Sequence, residues 1–146
     1  MNSNNTPLEL SRSKKKVLLV DDLPQVRRDL RQLLELTGLF EIIAEAVDSQ
    51  EAVRQAKHFS PDAVVLDLEM PGLDGYKTTR LIKAQNPATR VIILSAYGGA
   101  EEIEQASAAG ADSFVIKGDR YETLINAILG YDESLYSSLS EKGECI

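Results

Sequence analysis

Five polar residues stand directly behind short apolar runs in this sequence. Asp21 and Asp22 follow "KVLLV", Asp67 closes "DAVVLD", Ser95 follows "RVIIL" and Lys117 follows "SFVI". Three acids, a hydroxyl and an ammonium are a suggestive set if the fold brings them together. Two carboxylates about 4 Å apart repel by roughly 4 kcal/mol at an effective dielectric near 20, so such a cluster invites a cation. A few oxygen ligands beside a lysine and a hydroxyl suit Mg2+ completed by waters and phosphate oxygens. A metal and an ammonium facing one carboxylate form a trap for a phosphoryl group, with Asp67 attacking in line.

Each residue alone has a plainer reading. Asp21 or Asp22 could cap the helix that follows, and Asp67 could be a solvated loop acid. Pro71-Gly72 is a turn signal. Ser95 and Lys117 taken singly say almost nothing, and His58 reads as an exposed side chain near a helix C-terminus. The signal lies in the set, its members at the ends of four different apolar runs.

Those runs alternate with helical patterns. "KVLLV" has the signature of a strand buried on both faces. Pro24 suits a first helical turn, Val26, Leu30, Leu33 and Leu34 recur at helical spacing, and Gly38 ends the run. "FEIIAEAV" predicts a second strand. Asp48 or Ser49 then caps a helix with Ala52, Val53 and Ala56 on its apolar face, closed by Pro61. "DAVVLD" is the third strand, and Asp74 caps a helix through Tyr76, Thr79 and Ile82 that stops at Asn86-Pro87. "RVIIL" precedes a helix from about Gly99 to Ala109, and "SFVI" precedes one carrying Leu124, Ile125, Ile128 and Leu129. Five strands alternating with five helices call for an α/β fold, a doubly wound parallel sheet covered on both faces. With strand order 2-1-3-4-5, the four strands ending in the polar set are neighbours, and the carboxyl-end crevice is where such folds place ligands.

A chain of 146 residues is the size of one ordinary domain. Its 16 basic and 23 acidic residues give a net charge of −7, which offers no support for broad nucleic-acid or membrane binding. One cysteine, Cys145, cannot form an intrachain disulfide, and a reducing cytoplasm is the simplest compartment. No apolar run approaches membrane-spanning length. We expect a disordered lead over residues 1–15, one domain over 16–130, and a tail over 131–146 in which Leu135 and Leu139 are spaced for one short helical turn.

Together, "VLLVDD", "AVVLDLEMPGLDG", "VIILSAY" and "AGADSFVIK" resemble the receiver domain of two-component response regulators, relatives of the chemotaxis regulator, over about Val17 to Leu129. The resemblance implies a flavodoxin-like (βα)5 fold. It also implies a cytoplasmic phosphoprotein that takes a phosphoryl group onto Asp67 from a histidine kinase, a phosphotransfer protein or a small acyl phosphate. Asp22, Asp67 and the backbone carbonyl of Glu69 would bind Mg2+ directly, and Asp21 through water. Ser95 and Lys117 would hold phosphoryl oxygens. Phe114 would follow Ser95 as the switch aromatic, and the fourth helix, fifth strand and fifth helix would meet a downstream protein. Such a protein is not a turnover enzyme, although it catalyses its own phosphorylation and dephosphorylation.

Two positions depart from the commoner pattern. Gly118 stands where many receivers have a proline after a cis peptide, and Phe114 lacks a tyrosine hydroxyl. Glu69 and Tyr97 flank the path of a hydrolytic water and are expected to tune phosphoryl lifetime. Three other readings compete. A Mg2+-dependent phosphatase of the haloacid dehalogenase type resembles "VVLDLE", but it has aspartate where Glu69 stands. A phosphorylation-independent binding module would not require the polar set. A transcription regulator would contact nucleic acid through an output domain that these residues do not contain. The stand-alone receiver is the favoured expectation, although "VIKGDRYETLINAIL" also resembles receivers joined to helix-turn-helix domains.

Overall fold

The computed structural model describes residues 13–70 and 74–131. Five strands form one parallel sheet: β1 (Lys15–Val20), β2 (Phe40–Ala46), β3 (Ala63–Asp67), β4 (Arg90–Ser95) and β5 (Ser113–Ile116). Their spatial order is β2-β1-β3-β4-β5, as the sequence pattern predicts. The helices between and after them are α1 (Pro24–Leu36), α2 (Ser49–Phe59), α3 (Gly75–Gln85), α4 (Ala100–Ala109) and α5 (Tyr121–Leu129).

The strand side chains alternate between two cores. Leu18, Val20, Val64, Leu66, Val91 and Ile93 meet Ala52 and Ala56 of α2, Ile82 of α3 and Ala106 of α4. Val17, Leu19, Val65, Ile92, Leu94 and Val115 meet Leu34 of α1 and Leu124, Ala127 and Ile128 of α5. A two-residue period with both sets apolar is what a sheet covered on both faces requires. Register fixes the layers: Leu19 stands beside Val65, and Val65 beside Ile92. The pairing of β1 with β2 shifts between Val17 and Leu18.

Local chemistry explains the helix boundaries. Asp48, not Ser49, caps α2 by accepting the Glu51 N–H, and Glu51 in turn accepts the Val47 N–H. Ser49 instead pairs with the Thr78 hydroxyl at 2.6 Å. Asp74 caps α3 through the Tyr76 and Lys77 N–H groups. Gly110 and Gly130 end α4 and α5 in the left-handed conformation that suits glycine. His58 is exposed and lies edge-on to Phe59, away from the polar set. The Pro71-Gly72 turn, Cys145, most of the lead over residues 1–15 and the tail bearing Leu135 and Leu139 lie outside the described residues.

Candidate functional site

All four strand ends that carry the polar set open on one edge of the sheet. Asp67 is the last residue of β3 and Ser95 the last of β4; Asp21 and Lys117 come directly after β1 and β5. Parallel pairing of neighbouring strands therefore brings together residues that are distant in sequence.

Asp21 and Asp67 are 1% and 5% exposed, so neither is an ordinary loop acid. With the half-buried Asp22, they place one carboxylate oxygen each within 4.8 Å of one another. The capping reading of the first two acids does not hold. Leu23 is the N-cap of α1 and makes no side-chain cap, and Asp21 Oδ1 accepts the Leu23 N–H at 2.9 Å. The other oxygen, Asp21 Oδ2, is buried with no hydrogen-bond partner among the described residues. Burial and then the neighbouring Asp67 carboxylate push the Asp21 carboxyl up to about 6, against the lowering effects of the Leu23 N–H and Lys117.

An orphaned buried carboxylate oxygen beside two further acids is a donor set that a hard cation fits. Asp21, Asp22 and Asp67 could hold one, and all three offer oxygen.

Lys117 answers part of this charge. Its Nζ lies 2.8 Å from Asp67 Oδ1 and 3.2 Å from Glu69 Oε1. Burial works against the ammonium, but hydrogen bonds and charge from Asp67, then Glu69, outweigh it and hold Lys117 above its usual range. Asp67 Oδ1 also accepts the Glu69 N–H at 3.0 Å, so two donors fix the rotation of this carboxylate.

Ser95 is 1% exposed, and its hydroxyl reaches Glu69 Oε2 at 2.7 Å and the Tyr97 carbonyl at 2.9 Å. One hydroxyl proton serves only one of them at a time. The Glu69 side chain is the feature that spacing did not reveal. Its Oε1 also accepts the Ala96 N–H at 2.9 Å, so it crosses from β3 to the end of β4. Tyr97 sends its ring outward, 69% exposed.

Phe114 is half-buried against the core on the α2–α4 side of the sheet. Gly98 lies so close that a Cβ there would collide with Ile116 Cδ1 and come within 3.8 Å of the Phe114 ring. The peptide after Lys117 is trans, and no cis peptide occurs among the described residues. Gly118 takes φ +91°, a left-handed conformation that proline cannot adopt. No helix among the described residues is long and apolar enough to cross a membrane.

The response regulator receiver domain family matches residues 17–129. The chain is 37% identical over 115 residues to a nitrate/nitrite response regulator protein homolog of Haemophilus influenzae, covering 79% of this chain and 55% of that protein. It is 36% identical to the nitrate/nitrite response regulator NarP of Escherichia coli, covering 77% of this chain and 52% of the regulator. It thus spans about half the length of these regulators, whereas it covers 93% of a Halobacterium salinarum chemotaxis protein CheY at 38% identity. A LuxR-family two-component response regulator from Aurantimonas sp. SI85-9A1 superposes with a TM-score of 0.76 at 36% identity, over 81% of this chain and 84% of that one. CheY from the Borrelia burgdorferi CheX–CheY–BeF3–Mg complex gives 0.75 at 26% identity, over 89% of this chain and 97% of that one.

Proposed function

This chain belongs to the response regulator receiver domain family of two-component signalling, and on that premise we propose that Asp67 is its phosphoacceptor. One observation carries the reading. Three carboxylates, an ammonium and a hydroxyl converge from four strand ends on one sheet edge, with Asp67 buried and oriented at their centre. In the proposed step an Asp67 oxygen attacks phosphorus in line. The bond from phosphorus to a phosphohistidine nitrogen, or to an acyl oxygen, breaks, and its electron pair leaves with that group.

Mg2+ is the proposed cofactor; Asp22, Asp67 and the Glu69 carbonyl would hold it directly and Asp21 through water, and when bound it would neutralise charge on the phosphoryl oxygens. Lys117 orients Asp67 beforehand and then meets a phosphoryl oxygen. Ser95 is proposed to donate to another, with Phe114 repacking as it moves, so that a new charge biases a two-state surface. The proposed readout face is α4, β5 and α5, offered to a downstream protein. A histidine kinase or phosphotransfer protein is the proposed donor, in the cytoplasm. The Borrelia burgdorferi relative, whose complex holds CheX, BeF3 and Mg2+, supports both the cofactor and a protein partner.

Receiver domains are signalling modules, and we propose no turnover activity for this one. The match to a Symbiobacterium thermophilum protein-glutamate methylesterase covers 28% of that enzyme and does not bring its activity here. Whether residues 16–130 act alone or beside an output domain, the proposed chemistry is the same; similarity to nitrate/nitrite regulators supports the second arrangement and to chemotaxis proteins the first.

Acetyl phosphate, with and without Mg2+, tests the reading by intact mass. The expected result is one phosphoryl group that needs Mg2+ and is absent in Asp67→Asn. An adduct that persists in the variant would overturn the assignment.

A further inference from the structure

Glu69 lies two residues past Asp67, beyond the end of β3, where a solvated side chain is the ordinary outcome. Both of its oxygens are instead engaged. Oε2 takes the Ser95 hydroxyl at 2.7 Å, and Oε1 takes the Ala96 N–H at 2.9 Å and stands 3.2 Å from Lys117 Nζ. A hydroxyl, a backbone N–H and an ammonium around one anion form the donor set that a phosphoryl group on Asp67 would use. The same donors cannot hold both anions. We propose that the Glu69 carboxylate is an internal occupant of the phosphoryl cradle, which an incoming phosphoryl group must displace. The inference rests on the reading of Asp67 as phosphoacceptor.

The surroundings make displacement practicable. The Glu69 side chain is 32% exposed, so it can turn into solvent without opening either core. Its N–H remains anchored on Asp67 Oδ1, which leaves the backbone in place while the side chain leaves. When it departs, the Ser95 proton has the Tyr97 carbonyl as its alternative acceptor until the phosphoryl oxygen arrives. Occupancy, not charge alone, sets the resting direction of Ser95. Simple repulsion between Glu69 and an anion would act through space and weaken with salt. A carboxylate that fills the cradle competes by position.

Reach and charge can therefore be separated with beryllofluoride and Mg2+ as the phosphoryl mimic. Glu69→Asp keeps the charge but shortens the side chain by one methylene, about 1.5 Å. Glu69→Gln keeps the length and removes the charge. Glu69→Asp should bind beryllofluoride about tenfold more tightly than the wild type, the factor that about 1.4 kcal/mol gives, and Glu69→Gln, whose amide oxygen still fills the cradle, should gain less. The Ala96 amide resonance should shift in Glu69→Asp before any ligand is added, reporting the lost hydrogen bond. Glu69→Asp binding like the wild type while Glu69→Gln gains in a salt-sensitive way would overturn occupancy in favour of repulsion. Weaker binding by both variants would overturn it too, making Glu69 a support of the cradle. Mg2+-dependent binding that is lost in Asp67→Asn but indifferent to Glu69 would sink this inference alone. No binding by any form would sink the Asp67 reading along with it.

Discussion

The two edges of the sheet carry similar residue types and treat them in opposite ways. At the amino-terminal edge every named charge has a local answer. Asp112 Oδ2 takes Lys83 Nζ at 3.0 Å and the Val91 N–H at 2.8 Å, and Lys83 also reaches the Pro87 and Thr89 carbonyls. Arg90 holds the Ala127 carbonyl and the Ser113 hydroxyl, and Asp62 accepts the Lys16 N–H. At the carboxyl-terminal edge three acids face mainly one lysine, and Asp21 keeps a buried oxygen with no hydrogen bond. Polar groups that serve the fold are paired by their neighbours; an edge left unbalanced is set up for something that arrives from outside.

The sharpest way to break this contrast is at the balanced edge. Asp112→Ala should cost about 2–3 kcal/mol, since it leaves the Val91 N–H without its acceptor and takes from Lys83 its anionic partner. Urea unfolding measures the loss, and Mg2+-dependent phosphoryl incorporation by the folded variant should be unchanged. A loss of incorporation would mean that the two edges are not separable.

Asp21→Asn should act in the opposite direction, by on the order of 2 kcal/mol. A carboxyl whose folded pKa is raised binds its proton more tightly folded than unfolded. Stability of the metal-free protein is therefore full below about pH 4 and declines as pH rises through about 6. The asparagine variant should lack that decline, exceed the wild type above pH 6 in chelator, and gain less from added Mg2+. Parallel stability profiles for the two proteins would contradict the view that Asp21 carries the strain.

Gly118→Ala probes the same edge through the backbone. Nothing lies within 4 Å of a Cβ placed there, so only the left-handed φ of +91° opposes it. A loss of about 1 kcal/mol in thermal or urea unfolding is expected. Glu35→Ala is the smallest change: it removes an exposed pair with Arg31, N–O 3.3 Å, and should move stability by less than about 0.5 kcal/mol.

Much of this arrangement was readable from the chain because apolar runs, turn residues and strand-end acids follow rules of period and position. Order 2-1-3-4-5 made the polar set contiguous, and it is. Asp74 and Asp48 announced themselves as caps, although Ser49 was an equal candidate until its hydroxyl was found on Thr78. What stayed hidden depends on where long side chains go after leaving the backbone. Glu69 reaches residues 26 and 27 positions away, and nothing in its spacing indicates that. Likewise, Glu45 of β2 holds both Arg27 and Arg31 of α1, an ion cluster that draws its carboxyl below the usual range despite burial. Gly118 looked like a defect in a pattern because sequence does not state a torsion angle.

Strand order also ranks the site by how firmly each part is mounted. Among the described residues, β1, β3 and β4 each share backbone ladders with two neighbours, whereas β5 has four residues and pairs with β4 alone. A strand tied on one side is the least costly to shift, since moving it disturbs one ladder instead of two. The acids therefore sit on the stiff middle of the sheet, and Lys117 stands just beyond its compliant margin. Hydrogen exchange along β5 should be the first to register a change in what Lys117 holds. The sheet works as an anvil at its centre and a spring at its rim.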